Sequence, residues 1–324
     1  MRKLLSLVAV LALGSSLVAC GTEGGNKSGG GDFGTSGIKV TESFGKKPTI
    51  THRDGDPDKS LVTEVLSEGT GPEVKKGDLL LANYIGQIWR DGKVFDNSYD
   101  RGAPAAFPIG VGGVITGWDE GLVGKKAGSR VLLSIPSDKG YKEQGNSQAG
   151  IQGTDTLIFV VDIVAGYSNT TKLDATPVAD AKTGGPVVTG GLDTEPTVTV
   201  PKGTKPPATP GAPIVLAKGN GQPIAKGSQL IGRYVIYDYA GKKQFSTWVG
   251  QAGQQGQQGQ QAGPTGQLQV GAASGQKSPL DVLVGTTVGS RVLLPLPAQK
   301  DDKGKTVNGF AVMDILNAFP APKQ

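Results

Sequence analysis

The sequence predicts an α+β fold, a sheet with one short helix against it, present twice. Three observations carry this. Apolar residues alternate with period two along several segments, the mark of strands with one buried face. A single stretch, around Gly117 to Gly124, has helical spacing. The second half of the chain repeats the first. The length, 324 residues, also suits about two domains.

The elements follow in chain order. Arg2 and Lys3 precede the apolar run Leu4 to Leu13, which is too short for the ~20 residues that span a bilayer. The run leads into Leu17-Val18-Ala19-Cys20-Gly21, which resembles a bacterial lipobox. Residues 1–19 are therefore expected to be a lipoprotein signal peptide, with Cys20, the only cysteine, as the lipid attachment site. An ordinary signal peptide with an incidental cysteine is the alternative. Acyl chains contribute about 0.8 kcal/mol per buried CH₂, so two or three hold a protein on a membrane. The expected location is the cell membrane, lipid-anchored, on the extracytoplasmic side.

Residues 20–37 read as a flexible Gly/Ser-rich tether and 38–60 as a lead-in segment. Residues 61–167 carry a continuous globular pattern. Within it, Leu79 to Trp89 is a long alternating strand, and Arg90-Asp91-Gly92-Lys93 is a hairpin-type turn. Val131, Leu133 and Ile135 share one face, as do Leu157, Phe159, Val161 and Ile163. Trp118 and Leu122, four apart, share a face of the one helix. Residues 168–196, with Pro177, Pro186 and Pro196, read as a linker. Residues 197–320 form the second pattern, interrupted by a low-complexity Gln/Gly-rich loop at 250–266.

The repeat is dense. Pro48-Thr49-Ile50-Thr51 returns as Pro196-Thr197-Val198-Thr199, and Lys93-Val94-Phe95 as Lys243-Gln244-Phe245. Tyr84 falls on Tyr234, and Leu122-Val123-Gly124 on Leu283-Val284-Gly285. Gly128-Ser129-Arg130-Val131-Leu132-Leu133 recurs as Gly289-Ser290-Arg291-Val292-Leu293-Leu294.

Scarce residues exclude much. One Cys and one His leave no disulfide, cysteine cluster or multi-histidine metal site, and no cofactor is expected. His52 precedes the domain and reads as a solvated surface residue. Asp54, Asp56 and Asp58 have calcium-loop spacing, but Lys59 and Val65 stand where that loop needs Gly and Glu. Gly110-Val111-Gly112-Gly113 lacks the third glycine of a dinucleotide fingerprint, because Ile115 stands there. Loss of Arg2 and Lys3 with residues 1–19 takes the formal net charge from +5 to +3. No basic stripe interleaved with aromatics occurs, so nucleic-acid binding is not expected. Shape, apolar surface and backbone must carry the function.

Residues 61–166 resemble the FKBP-type peptidyl-prolyl isomerases, the tacrolimus-binding immunophilin family. The matching pieces include Ala82-Asn83-Tyr84-Ile85-Gly86, Gly92-Lys93-Val94-Phe95-Asp96-Asn97-Ser98, Val114-Ile115-Thr116-Gly117-Trp118-Asp119-Glu120-Gly121-Leu122 and Thr156-Leu157-Ile158-Phe159, in order. The resemblance implies a twisted antiparallel sheet wrapping one short helix, with a pocket between them. It assigns Tyr84, Phe95 and Phe159 to the walls, Val114 and Ile115 to the rim and Trp118 to the floor. Asp96 becomes the polar edge, Tyr141 the rim hydroxyl and Arg101 the partner that orients Asp96 and Tyr84. Two simpler readings stand beside this one: Tyr84 also serves the fold, since Tyr234 is kept, and Asp96-Asn97-Ser98 also fits a turn. Ala105 stands where many relatives carry a large aromatic.

In the second copy Trp118 aligns with Pro279, Val114 and Ile115 with Gly275 and Gln276, Asp96 with Ser246 and Phe159 with Ala311. Residues 197–320 are therefore expected to fold alike without catalysing. The expected function is a membrane-anchored extracytoplasmic peptidyl-prolyl cis-trans isomerase. Its partners would be proline-containing unfolded or partly folded exported proteins and tacrolimus-like macrolides. The alternative is a non-catalytic chaperone or adaptor that binds proline-containing segments.

Overall fold

The computed structural model describes residues 36–179, 181, 183–207, 211–248, 263, 265–271, 278–300 and 306–323. The expected signal peptide, Cys20, nearly all of the tether, most of the Gln/Gly-rich loop, and Gly275 and Gln276 lie outside the described residues.

The chain opens with a hairpin of β1 (Ile38–Val40) and β2 (Ile50–His52). The first large sheet follows: β3 (Val62–Ser67), β4 (Leu79–Ile88), β5 (Val94–Asn97), β6 (Ala105–Pro108), β7 (Arg130–Ile135) and β8 (Leu157–Tyr167). Its order is β3-β7-β8-β4-β5, with β6 also on β4, and every pairing is antiparallel. Two helices interrupt it, α1 (Ser98–Arg101) and α2 (Thr116–Leu122).

The second half runs β9 (Ala175–Pro177), β10 (Val187–Thr189), β11 (Thr197–Thr199), β12 (Ile214–Gly219), β13 (Ser228–Asp238), β14 (Lys243–Ser246) and β15 (Thr265–Gln269). It ends with β16 (Arg291–Pro295), the short pair β17 (Gln299–Lys300) and β18 (Thr306–Val307), and β19 (Gly309–Pro320). The sheet order β14-β13-β19-β16-β12-β9, with β15 on β13, repeats the first sheet and adds β9 at its edge. The sheet of the expected α+β fold is thus present twice, and where the first copy has α2 the second has a short 3-10 segment, Pro279–Leu283.

Three sequence readings need correction. Residues 168–196 are not a bare linker. They supply edge strand β9 and the hairpin strand β10, and Leu173 and Leu192 enter an apolar cluster. The lead-in 38–60 is likewise folded: Ile38 and Ile50 pack on Ile85, Trp89, Leu132, Ile158 and Val160 of the first sheet's outer face. Each repeat therefore begins with its own hairpin, and the repeated Thr-Ile/Val-Thr motifs fall on the second strand of each, β2 and β11. Finally, His52 is not simply solvated. Its ring stacks on Trp89 with centroids 4.3 Å apart.

α2 begins one residue before its predicted start and ends two before its predicted end. Its apolar face seats Trp118 and Leu122 in the core. Gly117 and Gly121 let it approach β7 closely. A Cβ on either would stand 2.5 Å from Ile135 or 2.6 Å from Leu133. The sequence reading found only this helix. It missed α1, whose single turn rests on a side-chain cap, Asn97 Oδ1 accepting from the Asp100 N–H at 2.8 Å.

A buried ion pair ties each hairpin to its sheet. Arg130 Nε donates to Asp162 Oδ1 at 2.6 Å, and both side chains are nearly inaccessible. Nη1 donates to the Glu42 carbonyl and Nη2 to the Lys46 carbonyl, each at 2.7 Å, Nη2 also reaches Asp162 Oδ2 at 2.8 Å, and the Gly45 N–H donates back to Asp162 at 2.6 Å. Arg291 and Asp314 repeat this, with the carbonyls of Gly191 and Thr194. Arg233 is a second cation on Asp314, at 2.9 Å, and burial holds its pKa below the ordinary arginine range.

The outer face of β4 is covered by two bodies. Ile85 lies under the β1–β2 hairpin, while Leu79 and Leu81 rest on Ile231, Leu316 and Phe319 of the second copy.

Replacing Asp162 by Asn leaves the Arg130 charge buried with its partner gone, so urea unfolding is expected to show a loss of about 3–5 kcal/mol.

Candidate active site

The inner face of the first sheet presents Tyr84 from β4 and Phe159 from the adjacent β8, and Trp118 of α2 lies against both. The Trp118 ring meets Tyr84 at 5.4 Å and 87° and Phe159 at 5.4 Å and 84°. Phe95 meets Phe159 at 5.5 Å and 88°. These edge-to-face contacts are the arrangement aromatic quadrupoles favour, and they hold the rings as a rigid lining.

A cavity of about 360 Å³ opens between them. Tyr84, Phe95, Asp96, Val114, Ile115, Trp118, Tyr141 and Phe159, all singled out from sequence, line it. Phe107 of β6 lines it too and was missed. It stands edge-on to Trp118 at 5.1 Å and to Tyr84 at 5.6 Å. Its sequence signal is the apolar run Ala105-Ala106-Phe107, in which the ring lies two residues beyond Ala105 on the same strand face.

Gly86 was also missed, and it makes the box possible. A Cβ there would lie 2.6 Å from a ring carbon of Phe95 and 2.7 Å from one of Phe159, well inside van der Waals contact with both. Only a residue with no side chain leaves room for the pair.

The polar edge is a closed triangle. Tyr84 OH donates to Asp96 Oδ2 at 2.5 Å, Arg101 Nη2 donates to Tyr84 OH at 2.8 Å, and Arg101 pairs with Asp96. The Arg101 guanidinium also lies 5.5 Å from the Tyr84 ring centroid. Burial first, then the hydrogen bond to Asp96 and its charge, push the Tyr84 phenol well above its ordinary pKa, against the pull of Arg101. The hydroxyl thus keeps its proton and remains a donor. α1 makes the triangle possible: Asp96 is the penultimate residue of β5, Asn97 ends the strand and caps the helix, and one turn returns Arg101 to Asp96. The turn-like Asp96-Asn97-Ser98 is thus a capped helix start, and Asp96 also faces the cavity.

The rim is shaped by Asp119, whose carboxylate accepts from the Gly110 and Gly112 N–H groups at 2.6 and 2.7 Å. The Ile115 carbonyl accepts from the Trp118 N–H at 2.9 Å, and the Ile115 N–H has no acceptor among the described residues.

The second copy has lost this box, but not by the expected alignment. Asp96 pairs with Gly86, and Phe245 pairs with Ile236 at the equivalent place. Phe245 therefore stands for Asp96, Gln244 for Phe95 and Ser246 for Asn97, one residue from the sequence alignment. The slip arose because matching Phe95 to Phe245 scored an identity that strand register does not respect. Asp281 bonds the Gly271 N–H as Asp119 bonds Gly110, which puts Leu280, not Pro279, in the place of Trp118. Ala311 does stand where Phe159 does, and Ile236 where Gly86 does. Tyr234 stacks nearly flat on Phe245, at 26°, instead of donating to a carboxylate.

The family model for the FKBP-type peptidyl-prolyl cis-trans isomerases matches residues 71–164. The chain is 38% identical over 120 residues to an FK506-binding protein of Streptomyces anulatus, spanning 37% of this chain and 97% of that protein. The chain belongs to the FKBP-type peptidyl-prolyl cis-trans isomerases. An FK506-binding protein of Neisseria meningitidis serogroup A is 43% identical over 108 residues, 33% of this chain and 97% of its own. The isomerase FkpA of Escherichia coli K12 is 38% identical over 152 residues, 47% of this chain and 52% of its own. This isomerase therefore carries one family domain, with a second sheet of the same order beside it.

A Gly86→Ala variant forces Phe95 and Phe159 apart, and its kcat/KM in a proline-isomerisation assay is expected to fall at least about tenfold, a change of ~1.4 kcal/mol in barrier, while circular dichroism shows the sheet retained.

Proposed function

We propose that the chain is an extracytoplasmic prolyl isomerase, held on the membrane by lipid on Cys20, that assists the folding of exported proteins through the aromatic box of its first copy. The observation that carries the catalytic part is the box itself: six aromatic rings, one polar edge and one rim N–H without an acceptor among the described residues. Rotation about an X–Pro bond faces a barrier of about 18–20 kcal/mol because it breaks amide resonance. The twisted amide has less charge separation than the planar one, so an apolar box favours it over the ground state. The Ile115 N–H receives the substrate carbonyl, and Trp118 supports the proline ring. Asp96, fixed by Tyr84 and Arg101, orients the edge and transfers no proton.

Unaided exchange takes tens to hundreds of seconds and can limit folding. Chains that arrive unfolded outside the membrane would gain most. The lipobox-like Leu17-Val18-Ala19-Cys20 supports that address. Among the described residues no helix is long and apolar enough to cross a membrane. The same walls support binding of a tacrolimus-like macrolide. Loss of the Trp118, Phe159, Phe95 and Asp96 counterparts supports a second copy that does not catalyse.

Cis/trans exchange of an Xaa-Pro peptide, followed by NMR with residues 21–324, is expected to be accelerated and to be blocked by tacrolimus. An Asp96→Val, Phe159→Ala double variant should lose essentially all of it. Residual activity at the wild-type level would move catalysis to the second copy and refute this assignment. Expressed from residue 1 in a bacterial host, the chain should fractionate with membranes and carry a diacylglyceryl mass on Cys20, and Cys20→Ser should release it. A wild-type chain found soluble and unmodified would defeat the anchoring.

A further inference from the structure

The segment after β19 reaches back to the first copy at its polar edge. The Lys323 N–H donates to the Arg101 carbonyl at 2.8 Å. That carbonyl belongs to the last turn of α1, where carbonyls lack partners within the helix. The Lys323 stem lies over Gly102, 3.2 Å from where a Cβ on that residue would stand. Gly102 is the left-handed cap that ends α1. The segment is itself held, since the Ala321 N–H donates to the Gly227 carbonyl at 3.3 Å.

A second contact supports the same edge. β6 follows Gly102 and alternates. Phe107 lines the cavity, while its neighbour Ala106 packs into the cluster of Leu316 and Phe319. Alongside, Asn317 Nδ2 donates to Tyr167 OH at 2.6 Å, fixing β19 to the end of β8. The second copy thus touches the backs of α1 and β6, and the fronts of both serve the pocket.

We infer that the second copy is a positioning device for the first, with the Lys323 backbone N–H as a positioning group that fixes Arg101 and, through it, the Asp96–Tyr84 edge. The contact passes through main chain, so it asks only for an N–H at position 323. This inference rests on the reading of Asp96, Tyr84 and Arg101 as the working edge of the isomerase.

The test uses the chain from residue 21, assayed for proline isomerisation. Lys323→Pro removes the N–H, and a chain ending at Pro320 removes the segment without altering β19. Each is expected to lower kcat/KM about fivefold, the weight of one hydrogen bond, with an unchanged unfolding midpoint. Lys323→Ala, which keeps the N–H, should remain near wild type. In an Arg101→Ala background the Lys323→Pro change should have no further effect, because the cycle removes the shared route. The Arg101 guanidinium NMR signals should be sharp in the wild type and broadened in Lys323→Pro. Wild-type activity in both Lys323→Pro and the shortened chain would overturn the inference. So would an equal loss with and without Arg101. If Arg101→Ala itself left activity unchanged, the reading of the edge would fall, and this inference with it.

Discussion

One missing side chain governs the pocket. Gly86 sits two residues before the end of β4, opposite Phe159 on β8 and Asp96 on β5. Two rings occupy the space its Cβ would take. The rest of the box is arranged around those rings: Trp118 stands perpendicular to Phe159 and Tyr84, and Phe107 closes the far side. In the second copy the bulk lies on the other strand, with Ile236 for Gly86 and Ala311 for Phe159. The strands still pair in the same order, so the exchange leaves the fold intact and removes the wall.

β4 shows how one strand can serve three bodies. Its inner face carries Leu80, Ala82, Tyr84 and Ile88 into the core around α2. Its outer face divides between the hairpin near Ile85 and the second copy near Leu79 and Leu81. This is why Leu79 to Ile88 is nearly all buried, although it reads as one alternating strand. Alternation tells which residues share a face. It does not tell what covers the second face.

The same limit explains what the sequence left unread. The long strands, α2 and the lining aromatics other than Phe107 were legible, because period two, period 3.6 and an ordered family motif all bear on them. The hairpins were not. β1, β2, β10 and β11 have three residues each, too few for a periodic signal, and they are fixed by contacts distant in sequence. Arg130, for instance, reaches the carbonyls of Glu42 and Lys46. A main-chain acceptor has no residue-type signature, so nothing in Glu42 or Lys46 announces the contact. The one-residue slip at Phe245 has a related cause. Identity matching follows side chains, whereas the bulges in β13–β14 and β4–β5 are set by backbone.

The exchange between Gly86–Phe159 and Ile236–Ala311 also bears on ancestry. Suppose the two copies began alike, each with a working box. A second copy that drifted to Ile236 and Ala311 could not easily return. Enlarging Ala311 first would overpack it against Ile236, at about 1–3 kcal/mol. Reducing Ile236 to glycine first would cost more than the roughly 0.5–1 kcal/mol that separates glycine from alanine in a strand, and would still supply no ring. Phe245 would then remain where the carboxylate belongs. Every single step back lowers stability before any wall of the box is restored, so duplication followed by this swap acts as a ratchet.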